Sequence, residues 1–76
     1  MTTAQFDSAY AGFCGRRPFR TFLIEFTSGN EIPIGHPEAV RRETNLYVMR
    51  RPDGGHVVFA AESVSRLLDA PTPGSS

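Results

Sequence analysis

Seven of the eight arginines lie in three short groups, and they are the residues best suited to bind an anionic partner. The groups are Arg16, Arg17 and Arg20; Arg41 and Arg42; and Arg50 and Arg51. Guanidinium groups bind phosphates and carboxylates through paired N–H donors. With the rings of Phe19 and Tyr47 they predict a nucleic-acid surface that combines phosphate contacts with base stacking. The alternative is a solvated surface of ion pairs with acidic side chains: Glu25, Glu31, Glu38, Glu43 and Asp53.

The histidines, the cysteine and the glycines form no pattern typical of an enzyme. His36 and His56 do not stand in an HxxxH or HExxH arrangement, so no zinc site is expected. Cys14 has no histidine near it in sequence that would activate it as a nucleophile. The glycines do not open a helix after a strand, as a phosphate-binding loop requires. We therefore expect a non-catalytic protein without metal ion, cofactor or small-molecule substrate.

The size and charge of the chain restrict its class. Its 76 residues predict a single domain. Eight basic and eight acidic residues give a net charge of zero, so no overall attraction to nucleic acid is expected, although a local patch remains open. Cys14 is the only cysteine, which favours a reducing, cytoplasmic location. The first fifteen residues lack a signal-peptide pattern, and no apolar run is long enough to cross a membrane.

A short helix over residues 2–13 is predicted to precede the first arginine group. Thr2 is followed three residues later by a glutamine, which is the spacing of a capping box. Phe6, Tyr10 and Phe13 share one helical face. We expect this aromatic face to pack on a sheet; a partner-binding face is the alternative.

Alternating apolar residues predict the strands that carry the other arginines. The predicted strands cover residues 19–27, 31–35, 44–51 and 56–61, and residues 64–68 form a fifth strand or a helical turn. Pro33 marks the second strand as an edge or bulged strand, because proline lacks an N–H donor. A corner with one helical turn is predicted at residues 36–40, and an Asp-Gly hairpin turn at residues 52–55.

These elements predict a mainly β fold, α+β by count, in which a short N-terminal helix precedes a five-stranded antiparallel, small-barrel-like sheet. Residues 1–70 are expected to form one small domain, and residues 71–76 a flexible C-terminal tail. The predicted core consists of Phe6, Phe22, Ile24, Phe26, Ile32, Ile34, Leu46, Val48, Val57, Phe59, Val64 and Leu67.

Two resemblances follow from these residues. The segment Arg17-Pro18-Phe19-Arg20-Thr21-Phe22, the turn at Gly29, the corner His36-Pro37-Glu38, the Asp-Gly hairpin and Val64 resemble a family of short bacterial proteins of unassigned function. That resemblance covers most of residues 16–68 and implies no activity.

The segments at residues 24–29 and 44–48 are similar to the first motif of Sm-like proteins, and the strand order also resembles SH3-like barrels. The Sm-like resemblance implies an RNA-binding barrel that assembles into rings, and it adds Asn45 to the possible contacts. The sequence departs from the Sm-like motifs at two places. Arg41 and Arg42 lie where the first motif has an acidic residue, and residues 61–63 lie where the second motif has an Arg-Gly pair.

The functional prediction is therefore an interaction or oligomerisation module that associates with itself or with a protein partner. The edge strand marked by Pro33 is a predicted place for strand addition. The alternative is an Sm-like protein that binds RNA or another nucleic acid. No membrane interaction is predicted.

Overall fold

One helix and six short strands make up the part of the chain that the computed structural model describes, residues 1–51 and 53–71. The helix is α1 (Thr3–Cys14), and the strands are β1 (Phe22–Phe26), β2 (Glu31–Ile34), β3 (Val40–Glu43), β4 (Leu46–Arg50), β5 (His56–Phe59) and β6 (Val64–Asp69). A 3₁₀ turn at Ala61–Ser63 joins β5 to β6. Two predicted features extend outside the described residues: the tail after Pro71, and the hairpin turn at Pro52.

The strands form two three-stranded antiparallel sheets. Sheet A has the order β2-β1-β6, and sheet B has the order β3-β4-β5. The prediction of a mainly β fold with a short N-terminal helix is confirmed. The prediction of one five-stranded, barrel-like sheet is wrong, because the chain builds six strands in two sheets.

Helix α1 begins with the predicted capping box. The Thr2 hydroxyl accepts a hydrogen bond from the Gln5 N–H at 3.1 Å, and the Gln5 side chain accepts one from the Thr2 N–H at 2.9 Å. The predicted aromatic face packs inward: Phe6 is 1% exposed and its ring lies 4.4 Å from that of Tyr47. The helix therefore covers the sheets with its aromatic side. Within residues 1–51 and 53–71, no helix has the length and apolar character needed to span a bilayer.

Sheet A follows the alternation that the sequence predicts. Phe22 and Ile24 of β1 and Ile34 of β2 are fully buried, so these strands turn the predicted side to the core. The β1–β2 turn needs Gly29, which has a φ of 94°. Residues 64–68 belong to strand β6, so of the two predicted alternatives the strand is confirmed and the helical turn is wrong. Pro33 lies in an edge strand, as predicted.

The strand that sequence reasoning missed is β3. Its sequence, Val40–Glu43, has no apolar alternation, and it pairs with β4 because the preceding corner brings it alongside. That corner is a single hydrogen-bonded turn in which the Ala39 N–H donates to the His36 carbonyl at 3.2 Å, so the predicted corner is present as a β-turn and does not continue into a helix. Pro37 suits the second position of such a turn.

Strand β4 turns the opposite side to the core from the one predicted. Tyr47 is 2% exposed and Met49 is 3% exposed, whereas Leu46 is 42% exposed and Val48 is half-buried. The prediction that Leu46 and Val48 belong to the core is therefore wrong. The tyrosine ring tolerates burial because its hydroxyl reaches the Asp7 carboxylate of α1 at 2.7 Å.

Candidate interaction surface

The outward face of sheet B is the most distinctive surface of the described chain. We define the outer face by the side chains that alternate away from the core on the three strands: Arg41, Glu43, Leu46, Val48, Arg50, His56 and Val58. Leu46 and Val58 are the exposed large hydrophobic residues in the part of the chain that the structure describes, at 42% and 60%. An apolar strip through Leu46, Val48 and Val58 therefore runs between charged side chains.

Helix α1 blocks the edge of β3. The Val40 N–H, which is directed away from β4, donates to the Tyr10 hydroxyl at 3.3 Å, and that hydroxyl donates to the Pro37 carbonyl at 3.1 Å. Burial, with a hydrogen bond to Cys14 adding to it, raises the pKa of Tyr10. The phenol therefore remains a neutral cap for this edge at ordinary pH.

Proline blocks the edge of β2. The Phe26 N–H donates to the Asn30 carbonyl at 2.8 Å. This bond determines which backbone groups of β2 point to β1 and which point to the free edge. Ile32 and Ile34 then bond to β1, whereas the nitrogen of Pro33 is directed to the free edge. Because proline has no N–H, β2 presents an interrupted donor row to another strand.

The edge of β6 is flanked at both ends. The Met1 ammonium group donates to the Val64 carbonyl at 2.8 Å, where the strand begins. Asp69, where the strand ends, accepts a hydrogen bond from the Arg16 guanidinium at 2.6 Å. Arg16 also lies over the Phe13 ring, 4.6 Å from its centre, which ties it to the end of α1.

The edge of β5 carries no cap among residues 1–51 and 53–71. The Arg51 N–H donates to the Gly55 carbonyl at 2.8 Å, so Val57 and Phe59 bond to β4 and the backbone groups of His56 and Val58 point to the free edge. A groove of about 340 Å³ lies beside this edge, with Phe26, Ile32 and Val57 among its walls. In the described part of the chain, strand β5 is thus an uncapped edge next to apolar surface.

A second feature lies at the other end of the outer face. A hollow of about 270 Å³ is lined by His36, Glu38, Ala39, Arg41, Val48, Arg50 and His56. It gathers both histidines of the chain with two of the predicted arginines. No group of three or more potential metal-ligating side chains occurs in the described residues.

The predicted arginine groups do not gather on one surface. Three of the seven form ion pairs: Arg16 with Asp69 at 2.6 Å, Arg42 with Asp7 at 2.8 Å and Arg51 with Asp53 at 3.6 Å. The other four, for which no ion pair occurs within residues 1–51 and 53–71, are Arg17, Arg20, Arg41 and Arg50. Among all seven, the structure brings Arg41 and Arg50 together in the hollow.

The two non-arginine residues of the predicted surface lie apart from the hollow. Asn45 is exposed in the two-residue turn between β3 and β4. Tyr47 is in the core, where its hydroxyl donates to Asp7, and Arg42 donates to the other oxygen of that carboxylate at 2.8 Å. Burial, together with the hydrogen bond to Asp7, raises the pKa of Tyr47 to about 12. Tyr47 thus links α1 to sheet B and offers no ring for base stacking.

Sequence reasoning missed the exposure of Leu46 and Val58 and the position of both histidines in one hollow. Val57 and Phe59 are predicted core residues, and Val58 alternates with them. Extending that alternation would have placed Val58 outside. The hollow had no signal in the sequence, because the unpredicted strand β3 brings Arg41 beside β4.

Comparisons of the chain with protein-family models, with curated proteins and with solved structures give no match. The resemblances to a short bacterial family and to Sm-like and SH3-like proteins therefore stay predictions.

Proposed function

We propose that this chain is a non-catalytic interaction module that associates with a second copy of itself through the edge of β5. The observation that carries the proposal is the contrast among the four edge strands. Tyr10 caps β3, Pro33 interrupts β2, and Met1 and Arg16 flank β6, whereas β5 has no cap in the described residues. Natural proteins protect edge strands against unwanted pairing, so an open edge favours a partner.

The sequence of β5 is suited to pairing with its own copy. In a two-fold antiparallel arrangement centred on Val58, this residue lies opposite Val58 of the second copy, and His56 lies opposite Ala60 of the second copy. No like charges then oppose each other across the strand pair. The net charge of zero also lets two copies approach without overall repulsion.

Burial of Val58 supplies part of the driving force. Burying a valine completely contributes roughly 1.5–3 kcal/mol. With 60% of Val58 exposed, its burial contributes about 1–2 kcal/mol for each copy. The paired sheet has six strands, and the apolar strips of both outer faces become continuous. A two-fold dimer is the commonest symmetric assembly.

The test is the mass in solution of the wild type and of a Val58→Pro variant, measured by sedimentation velocity across a concentration series. Proline at this position removes an N–H directed to the free edge and leaves the bonds between β4 and β5 intact. The matched control is Val58→Thr, which keeps the N–H and the β-branched shape. We expect the wild type and Val58→Thr to reach twice the monomer mass of 8.4 kDa, and Val58→Pro to stay monomeric.

Circular dichroism checks that Val58→Pro is folded. A second variant, Val58→Lys, keeps the backbone donor but places a positive charge at the edge of β5. A wild type that stays monomeric at millimolar concentration, or a folded Val58→Pro variant that still dimerises, contradicts the proposal.

Nucleic-acid binding is a second candidate function, favoured by Arg41 and Arg50 on the outer face, which form no ion pair within residues 1–51 and 53–71. It predicts an assembly that gains mass with short single-stranded RNA and loses that gain steeply as salt is raised. The same sedimentation series with RNA present distinguishes the two. A larger ring that binds RNA favours the second candidate, and a dimer that is indifferent to RNA favours the first.

A further inference from the structure

We propose that the hollow between the His36–Ala39 turn and strand β4 binds a phosphate group. Arg41 and Arg50 supply the principal donors, and His36 and His56 stand beside them. The two principal donors lie away from the edge proposed for pairing, because Arg41 is on β3 and Arg50 is on the central strand β4; His56 is the one residue of the hollow on β5.

The register of sheet B brings the two arginines onto one anion. Arg41 lies opposite Val48, and Arg50 is two residues further along β4 on the same face. Such diagonal neighbours lie about 7–8 Å apart, and their β-carbons are somewhat closer, within reach of long side chains. Two guanidinium groups at this spacing repel each other unless an anion lies between them. The half-buried Val48 forms the floor below them.

The backbone holds the rim of the hollow in place. The Arg50 N–H donates to the Ala39 carbonyl at 3.1 Å, and the Ala39 N–H donates to the His36 carbonyl at 3.2 Å. These two bonds fix the turn against β4 and place His36 at the rim. On the other side, His56 lies directly opposite Arg50 in the β4–β5 ladder. The four basic side chains thus come from three strands and one hydrogen-bonded turn.

The charge of the hollow favours an anion. Among residues 1–51 and 53–71, neither Arg41 nor Arg50 forms an ion pair with a carboxylate, and the hollow contains one acidic residue, Glu38. By contrast, Arg16, Arg42, Arg51 and Arg66 each form an ion pair with an aspartate or a glutamate, as Arg66 does with Glu25 at 2.8 Å. Two permanent positive charges against one negative charge leave a local excess, although the whole chain is neutral.

A phosphate group fits this set of donors better than a single carboxylate does. Guanidinium forks bind two oxygens each, so two arginines can bind a tetrahedral group from two sides. The hollow, at about 270 Å³, has room for the phosphate and for part of the molecule that carries it. Because the side chains are exposed, binding is screened by salt and is expected to be weak.

The phosphate can come from a small phosphomonoester or from the backbone of a single-stranded nucleic acid, and two probes distinguish these sources. Backbone amide shifts in NMR spectra are followed during titration with inorganic phosphate and, separately, with a short oligouridylate that has hydroxyl ends. Saturation by inorganic phosphate assigns the site to monoesters. Saturation by the oligouridylate alone assigns it to a nucleic-acid backbone.

Variants decide whether the hollow is the site. We expect Arg41→Gln and Arg50→Gln each to raise the Kd roughly two- to fivefold, as loss of an exposed charged contact does. The matched control is Arg20→Gln, which removes an exposed arginine outside the hollow and should leave the Kd unchanged. Val58→Pro should bind as the wild type does, so failure of the dimer and failure of this site are separate results. The proposal is overturned if neither probe saturates, or if Arg20→Gln weakens binding as much as Arg41→Gln does.

Discussion

Replacing Tyr47 with phenylalanine should make the folded protein less sensitive to alkaline pH. The Tyr47 ring is 2% exposed and packs with Phe6 and Phe59, with ring centres 4.4 Å and 5.5 Å away. Its hydroxyl donates to Asp7. Both burial and the neighbouring carboxylate disfavour a phenolate, so the pKa of Tyr47 rises from its usual value of 10.0 to about 12.

The sign and size of the effect follow from the two pKa values. Between pH 10 and pH 12 the unfolded chain loses the Tyr47 proton while the folded chain keeps it, so the free energy of unfolding falls as pH rises. Below pH 10 Tyr47 is protonated in both states, so its full contribution to the free energy of unfolding is present. A rise in pKa from 10.0 to about 12 corresponds to a loss of at most about 2–3 kcal/mol by pH 12, and solvent screening of the pair with Asp7 reduces this loss. A chain of this size has a total stability of roughly 4–11 kcal/mol.

The composition makes this effect measurable. The chain has no lysine, and arginine does not titrate in this range, so its two tyrosines dominate the titration between pH 10 and pH 12. Tyr10 is present in both proteins and contributes the same background. Urea unfolding followed by circular dichroism gives the free energy of unfolding at pH 7, 9, 10, 11 and 12. Absorbance at 295 nm reports tyrosine ionisation in the same samples.

At pH 7 we expect Tyr47→Phe to be less stable than the wild type by about 1.5–3 kcal/mol, because the Asp7 carboxylate loses a donor. This difference should shrink or reverse by pH 12. The reasoning is refuted if the difference between the two proteins stays constant from pH 9 to pH 12. It is also refuted if absorbance shows both tyrosines of the folded wild type ionising near pH 10.

Two further substitutions test the packing and the backbone by urea unfolding at pH 7. Phe6→Ala should lower the free energy of unfolding by about 3–5 kcal/mol, because Phe6 is 1% exposed. Val58→Ala, at a position that is 60% exposed, should have a much smaller effect on the stability of the monomer. Equal losses of stability in the two variants would contradict the assigned core. Thr44→Gly should raise the stability by about 1 kcal/mol, because Thr44 is a β-branched residue with a φ of 58°; a decrease would mean that this conformation carries no strain.

Local signals were sufficient for the helix and for sheet A. The capping box of Thr2 involves residues three apart, and the alternation in β1 and β2 is uninterrupted from Phe22 to Ile34 apart from the glycine turn. Each of these elements therefore follows from neighbouring residues. Pro33 likewise indicated an edge strand through its own chemistry, without any knowledge of its partner.

Sheet B could not be predicted in the same way, because its determinants are far apart in sequence. Strand β4 has apolar residues on both sides, and its inner side is selected by the bond between Tyr47 and Asp7, forty residues earlier. Strand β3 has no apolar pattern and depends on its pairing with β4 and on the Tyr10 cap from α1. Because β3 is not predicted from the sequence, the hollow is not predicted either, since Arg41 lies beside β4 only as part of that strand.

The four edge strands show how the candidate site relates to the fold. Pro33 in β2 and Val58 in β5 hold equivalent places, since the nitrogen of each is directed away from the neighbouring strand. At one place the chain has the residue that best prevents pairing, and at the other it has a strand-forming residue that is 60% exposed. Three edges are protected, and β5 has no cap among residues 1–51 and 53–71, which is why we propose that a second copy adds at β5.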